Sequence, residues 1–154
     1  MTPRQFTPGE DPAPLLALIR ESFAYMDGRI DPPSSMHRLT GADIARQAAT
    51  GEIWVIGPAP APVACTFLTP KPPALYIGKL AVAQAARGKG LARLLIGTAE
   101  ARARALALTA LTLQARLELT ENHATFRALG FVQTAETAHP GYGRTTSLTF
   151  TKVL

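Results

Sequence analysis

Cysteine is almost missing from this chain: Cys65 is the only one among 154 residues. No internal disulfide can form, and no Cys/His spacing resembles a metal site, so no metal is expected. Long apolar runs are missing too. None approaches the ~20 residues that span a bilayer, and the opening MTPRQFTPGEDPAP lacks the charged-then-apolar pattern of a secretion signal. The expectation is a soluble, cytoplasmic protein with no membrane attachment. Charged residues are few, 18% against 47% hydrophobic, a balance that excludes a disordered chain. Internal repeats and low-complexity linkers are absent. The length suits one domain over residues 1–154, with a core large enough to need no staple.

The charge that is present leans positive, at +5, with arginine well ahead of lysine. Such an excess fits ordinary solubility, and equally an anionic partner such as a cofactor with several phosphates. The cations are spread along the chain, with no basic cluster interleaved with aromatics, which argues against nucleic acid as the first partner.

Proline and glycine mark the joints. Arg4 to Thr7 suits a short strand. Asp11 and Pro12 then open a helix carrying Leu15, Leu16, Ile19 and Phe23 at helical spacing. Asp27 and Gly28 end it, and RIDPPSSM, residues 29–36, is a proline-stiffened loop. Thr40 and Asp43 predict a capping box for a second helix to about Ala49. EIWVIG and VACTFLT flank the turn PAPAP as a hairpin, and ALYIGKLAV, Ala74 to Val82, is a third strand of that group. An Ala/Leu/Arg helix is predicted from Gly90 to Leu108, with Glu100 and Arg104 as an i,i+4 pair. A strand from Leu111 to Leu119 follows. Next comes a short helix capped by Thr120 and ended by Gly130, then two last strands, FVQTAE and TTSLTFTKVL. The order β-α-α-β-β-β-α-β-α-β-β predicts an α/β (α+β) domain, a mixed sheet with helices on both faces.

The chemistry is concentrated at LAVAQAARGKGLARLL. A strand ends at Val82, a loop carries Arg87, Gly88, Lys89 and Gly90, and a long helix begins at once. A helix start leaves N–H groups unpaired and carries partial positive charge, and glycines admit phosphates close to the backbone. A P-loop needs four residues between its glycines, followed by Lys and Ser/Thr, which this loop does not offer. A dinucleotide fingerprint needs glycine where Arg93 stands, with an acidic residue about twenty positions on, and the chain is apolar there.

The pattern that fits is R-x-x-G-x-A, at Arg87, Gly90 and Ala92. With the preceding LAV and the later FRALGF (Phe126 to Phe131), it resembles the GNAT superfamily of acyl-CoA transferases, as does the element order over nearly the whole chain. That resemblance implies a mostly antiparallel central sheet of six to seven strands. It implies acetyl-CoA as cosubstrate, with an amine of a small molecule or peptide attacking the acetyl carbonyl directly. The N–H groups of Gly88, Lys89, Gly90, Leu91, Ala92 and Arg93 would hold the pyrophosphate, beside Arg87. Backbone groups of Leu80, Ala81 and Val82 would pair with the pantetheine arm, in a splay between that strand and the one near Leu113 to Arg116. A homodimer is compatible with the resemblance.

The sequence also departs from the family pattern. The tyrosine that commonly protonates the departing sulfur is replaced by Phe126. The family's asparagine position holds Leu119, and Asn122 stands one turn later, within reach of the pantetheine from the helix start. Proton handling is therefore open. An amine with pKa near 10.4 is rarely neutral at pH 7, which makes a base useful. Glu118, beyond the splay, is the first candidate. Among His37, His123 and His139, His139 lies beside Tyr142 in the loop HPGYGR, where it could overhang the acceptor, and Tyr142 is a candidate acid. Asp31, Ser34 and Ser35 are suited to orienting a cationic amine. Phe126 leaves room for a second class of function, an acyl-CoA-binding sensor without catalysis. The basic charge also permits a toxin-like enzyme acting on an RNA-bound amine.

Overall fold

A computed structural model describes all residues, 1–154. One seven-stranded sheet runs in the order β1-β2-β3-β4-β5-β7-β6. Its strands are β1 (Arg4–Phe6), β2 (Glu52–Ile56), β3 (Ala64–Lys71), β4 (Ala74–Val82), β5 (Ala110–Arg116), β6 (Val132–Thr137) and β7 (Ser147–Val153). Four α-helices accompany it: α1 (Ala13–Phe23), α2 (Gly41–Thr50), α3 (Leu91–Ala105) and α4 (Thr120–Ala128). Every pairing is antiparallel except β4 with β5. That crossover needs a long connection, which α3 supplies. None of the helices is long and apolar enough to cross a membrane.

The two faces of the sheet bury separate clusters. Leu15, Leu18 and Ile19 of α1 and Ile44 and Ala48 of α2 pack on Ile53, Val55, Cys65 and Phe67. On the opposite face Ile96, Ala99 and Ala103 of α3 meet Leu68, Leu75, Ile77, Leu111 and Leu113, joined by Phe131 and Phe150. Burial pushes the Cys65 thiol up to about 12, so it packs as a small apolar residue and is no nucleophile.

Local signals placed several joints well. Thr40 and Asp43 form the reciprocal capping box of α2, and Asp11 Oδ1 accepts the Ala13 N–H at 3.0 Å at the start of α1. Others are corrected. Thr120 does not cap α4; Leu119 holds that position, without a side-chain cap. Glu100 does not pair with Arg104. Lys152 Nζ donates to it at 2.7 Å from β7, because the tertiary partner is closer than the next helical turn. The strand expected to reach Leu119 stops at Arg116. There Leu117 N–H turns to the Thr146 carbonyl and Leu119 N–H folds back on Arg116.

Two features of the sheet create the site. First, β4 and β5 pair only from Ala74–Tyr76 to Ala110–Thr112 and run apart beyond. Second, β4 carries a bulge: Cys65 faces Ala81 while Phe67 faces Gly78, so three steps on β4 match two on β3. Lys79 sits in the extra position at φ 48°. A bulge inverts the side-chain alternation that follows it. Leu75 and Ile77 accordingly face α3, while Ala81 packs with α1.

Candidate functional site

The divergence of β4 and β5 opens a cleft of about 1060 Å³. At one end lies the start of α3. Gly88 and Gly90 adopt φ of 79° and 75°, the left-handed region that glycine enters without a Cβ penalty. The N–H groups from Gly88 to Arg93 receive no acceptor from the chain. A Cβ built on Gly88 or Gly90 meets nothing within 4 Å, so the space over these donors is open. Lys89 and Arg93 are exposed beside them, while Leu91 is buried and anchors the first turn. Six unpaired donors at a positive helix end, under open glycines, suit a polyanionic group such as a pyrophosphate.

Arg87 also lines the cleft. Its guanidinium turns back to donate to the Ser22 carbonyl at 3.2 Å and the Val82 carbonyl at 3.3 Å, tying the end of α1 to β4. The Val82 carbonyl, which also accepts from Ser22 Oγ at 3.3 Å, is therefore not free for a ligand. Leu80 and Ala81 line the cleft beyond the β4–β5 pairing. On the opposite wall Asn122 Nδ2 donates to the Tyr25 hydroxyl at 3.1 Å. Phe126 lies one turn further along α4 and packs against Phe131 and Phe150, with ring centroids 6.2 and 6.1 Å away. Tyr25 was not singled out in the sequence, where it reads as one more aromatic after α1.

At the other end the loop 29–36 meets the loop between β6 and β7. Asp31 accepts from Tyr142 Oη at 2.6 Å and from Arg144 at 3.1 Å. Both of its oxygens are thus committed, and it does not line the cleft. The short bond to Asp31 is the main cause that pushes the Tyr142 hydroxyl above its ordinary pKa, so its proton is held by the carboxylate. Glu118 does not line the cleft either. Its Oε2 accepts the Asp31 N–H at 3.1 Å, and its Oε1 is buried without a partner. Asp31 and Glu118 thus join the loop 29–36 to the turn after β5 and to the loop between β6 and β7. Ser34 accepts the Met36 N–H at 3.2 Å and caps a 3-10 turn, Ser35–Arg38. Ser35 Oγ accepts from Lys79 Nζ at 2.7 Å.

His139 lines the cleft and has the geometry of a base. Its backbone N–H donates to Thr146 Oγ1 at 2.9 Å, and its Nδ1 contacts the same oxygen. The Thr146 hydroxyl hydrogen points to the Thr137 carbonyl at 3.4 Å. The tautomer that satisfies both contacts carries its hydrogen on Nδ1 and presents Nε2, which has no protein partner, as an acceptor. Burial, with Arg116 nearby, lowers the His139 pKa from 6.5; Glu118 opposes this more weakly. His123 Nε2 donates to the Arg116 carbonyl at 2.9 Å, a structural tie. His37 Nε2 donates to Asp27 at 2.7 Å, away from the cleft.

Lys79, Arg38 and Arg116 also line the cleft and were missed in the sequence as site residues. A signal was present: Leu75 and Ile77 alternate in one phase and Leu80 and Val82 in the other, which places a bulge near Lys79.

No curated protein matches the chain in sequence. Its fold is shared with many solved structures. The PaiA N-acetyltransferase from Thermoplasma acidophilum, in complex with coenzyme A, superposes with a TM-score of 0.79 at 11% identity, covering 99% of this chain and 98% of that one. A GNAT family acetyltransferase from Elizabethkingia anophelis with acetyl-CoA bound gives 0.70 at 18%, covering 99% and 97%. The ribosomal-protein-alanine N-acetyltransferase from Brucella melitensis gives 0.70 at 20% over 100% of both chains. At such identities the likeness establishes the fold. The sequence itself matches the family model described as "Acetyltransferase (GNAT) family" over residues 17–131; with that match across most of its length, the chain belongs to the GNAT acetyltransferase family.

Proposed function

We propose that this protein transfers the acetyl group of acetyl-CoA to a primary amine of a small molecule or peptide, by direct attack within the β4–β5 cleft. The observation that carries the reading is the set of six unpaired N–H groups from Gly88 to Arg93 at the end of the same cleft that His139 lines. The pyrophosphate binds those donors, and the pantetheine arm runs along the open side of β4 at Leu80 and Ala81. The amine nitrogen forms a bond to the acetyl carbon, the C–S bond breaks, and its electrons leave on sulfur. The proton lost by the amine passes to His139 Nε2, directly or through water. Solvent protonates the thiolate, whose intrinsic pKa resembles that of free cysteine, about 8.5. An amine panel with acetyl-CoA, scored by thiol release, tests the reading; absence of turnover by a protein that binds CoA overturns it.

One observation favours a second reading, a CoA-binding sensor: the α4 position from which the family's tyrosine would act is the hydrocarbon ring of Phe126. A thiol leaves well enough that an acid should contribute near the lower end of the usual ~10²–10⁴-fold. Phe126→Tyr should accordingly change turnover by less than about 10²-fold. If the substitution converts an inert protein into an active one, the sensor reading is correct.

A further inference from the structure

The acceptor end of the cleft holds positive charge that the chain does not neutralise. Lys79 stands on the β4 bulge, Arg116 ends β5, and Arg38 ends the 3-10 turn; all three line the cleft. None has a carboxylate within 4 Å, whereas Arg29 and Arg144, nearby, are both paired with acids. The partners these cations do have are neutral. Lys79 donates to Ser35 Oγ at 2.7 Å, and Arg116 donates to the Pro32 and Pro33 carbonyls at 2.6 and 3.1 Å. Among the residues lining the cleft the one carboxylate is Glu121, and Arg29 engages both of its oxygens, at 2.8 and 3.0 Å. Asp31 and Glu118 attract Arg116 from outside the cleft, but Asp31 is held by Tyr142 and Arg144, and Glu118 by the Asp31 N–H.

Support of the proline loop accounts for Arg116 alone. It does not account for a half-buried lysine set beside two arginines, an arrangement that costs free energy in the empty cleft through desolvation and like-charge repulsion. That cost shows on Lys79 itself, whose pKa is lowered first by burial and then by Arg116 and Arg38. A ligand anion would repay it.

We propose that the acceptor carries a carboxylate, seated among Lys79, Arg38 and Arg116, so that the substrate is an amino acid or a molecule built like one. This rests on the reading of the cleft as an acetyl-transfer site. The carboxylate fixes one end of the acceptor at the bulge, with its amine toward the splay. Three cations still outnumber the bound carboxylate and Glu118, which acts on Arg116 from outside the cleft; the remaining positive field disfavours the ammonium form, so the bound amine loses its proton more readily than in water.

The test uses L-amino acids and their carboxamides as matched acceptors with acetyl-CoA. The best acid should exceed its amide at least about tenfold in kcat/KM, on the scale of a charge-assisted contact. Lys79→Met, and Arg38→Ala at an exposed position as a second variant, should erase most of that preference by raising the KM of the acid, with the CoA Kd unchanged. A parallel titration needs no turnover: N-acetyl amino acids and N-acetyl amino amides are titrated into the CoA-loaded protein. Acids that bind better than amides in the wild type, and equally in Lys79→Met, support the site. Equal binding in the wild type, a preference retained in folded Lys79→Met, or no binding by any acid overturns it. Selective binding of acids without turnover of any amine would remove the acetyl-transfer reading and leave the anion site standing. Turnover of acids and amides alike would do the opposite.

Discussion

His139→Gln slows acetyl transfer by about 10²–10³-fold at neutral pH, within the range for a general base, and leaves CoA affinity unchanged. Glutamine retains a hydrogen-bonding group but cannot take up a proton from the amine. The pH profile separates this from a packing effect. Turnover in the wild type requires neutral His139, whose pKa is lowered from 6.5. Its protonation therefore adds an acid limb, lying below 6.5, to the decline that the shrinking fraction of neutral amine already imposes. In His139→Gln that limb disappears and the residual rate rises with the fraction of neutral amine alone. A variant that keeps the limb would place the base on another group.

Gly90→Val weakens CoA binding by about 10²-fold or more. Gly90 caps α3 at φ 75° and ψ 18°, where a β-branched residue carries strain of ~1–2 kcal/mol. The added side chain enters space that no protein atom occupies within 4 Å, the space a pyrophosphate needs. Loss of one or two charge-assisted hydrogen bonds at ~1.5–3 kcal/mol each accounts for the affinity change. Gly90→Ala provides the comparison, because it has a similar backbone cost with less occlusion. Calorimetry should rank the two, with alanine the milder; a folded Gly90→Val protein that binds CoA as the wild type does would remove the phosphate-loop assignment.

What could be read from the sequence was encoded locally. The capping box at Thr40 and Asp43, the hairpins, and the glycines at 88 and 90 depend on residues a few positions apart. Their spacing therefore carried the information. The acceptor half is built from long-range contacts. Asp31 meets Tyr142 and Arg144 across more than a hundred residues, and the same distance hides the fact that both Asp31 oxygens are taken. Glu118 looked like a base because it follows a strand that faces the cleft. The strand stops two residues earlier, and the turn there directs the carboxylate to the Asp31 N–H. Glu100 had an ideal helical partner in Arg104 and found Lys152 instead, because β7 brings an ammonium against α3. His139 is legible as a loop histidine, but its hydrogen bonding depends on Thr137 at the end of β6 and Thr146 just before β7.

In β4 a residue count, and not any single side chain, divides the core from the cleft. Up to Ile77 the odd positions face α3. After the extra position at Lys79 the even ones do, and Ala81 is handed to α1. Substitution at 79 alters what the cleft can hold and leaves that parity intact. Deletion of the position would instead turn Leu80 and Ala81 each to the wrong side, taking apolar contacts from both layers at once. Chemistry at this point of the strand is therefore free to drift by exchange of side chains, while the length of the strand is bound to the fold.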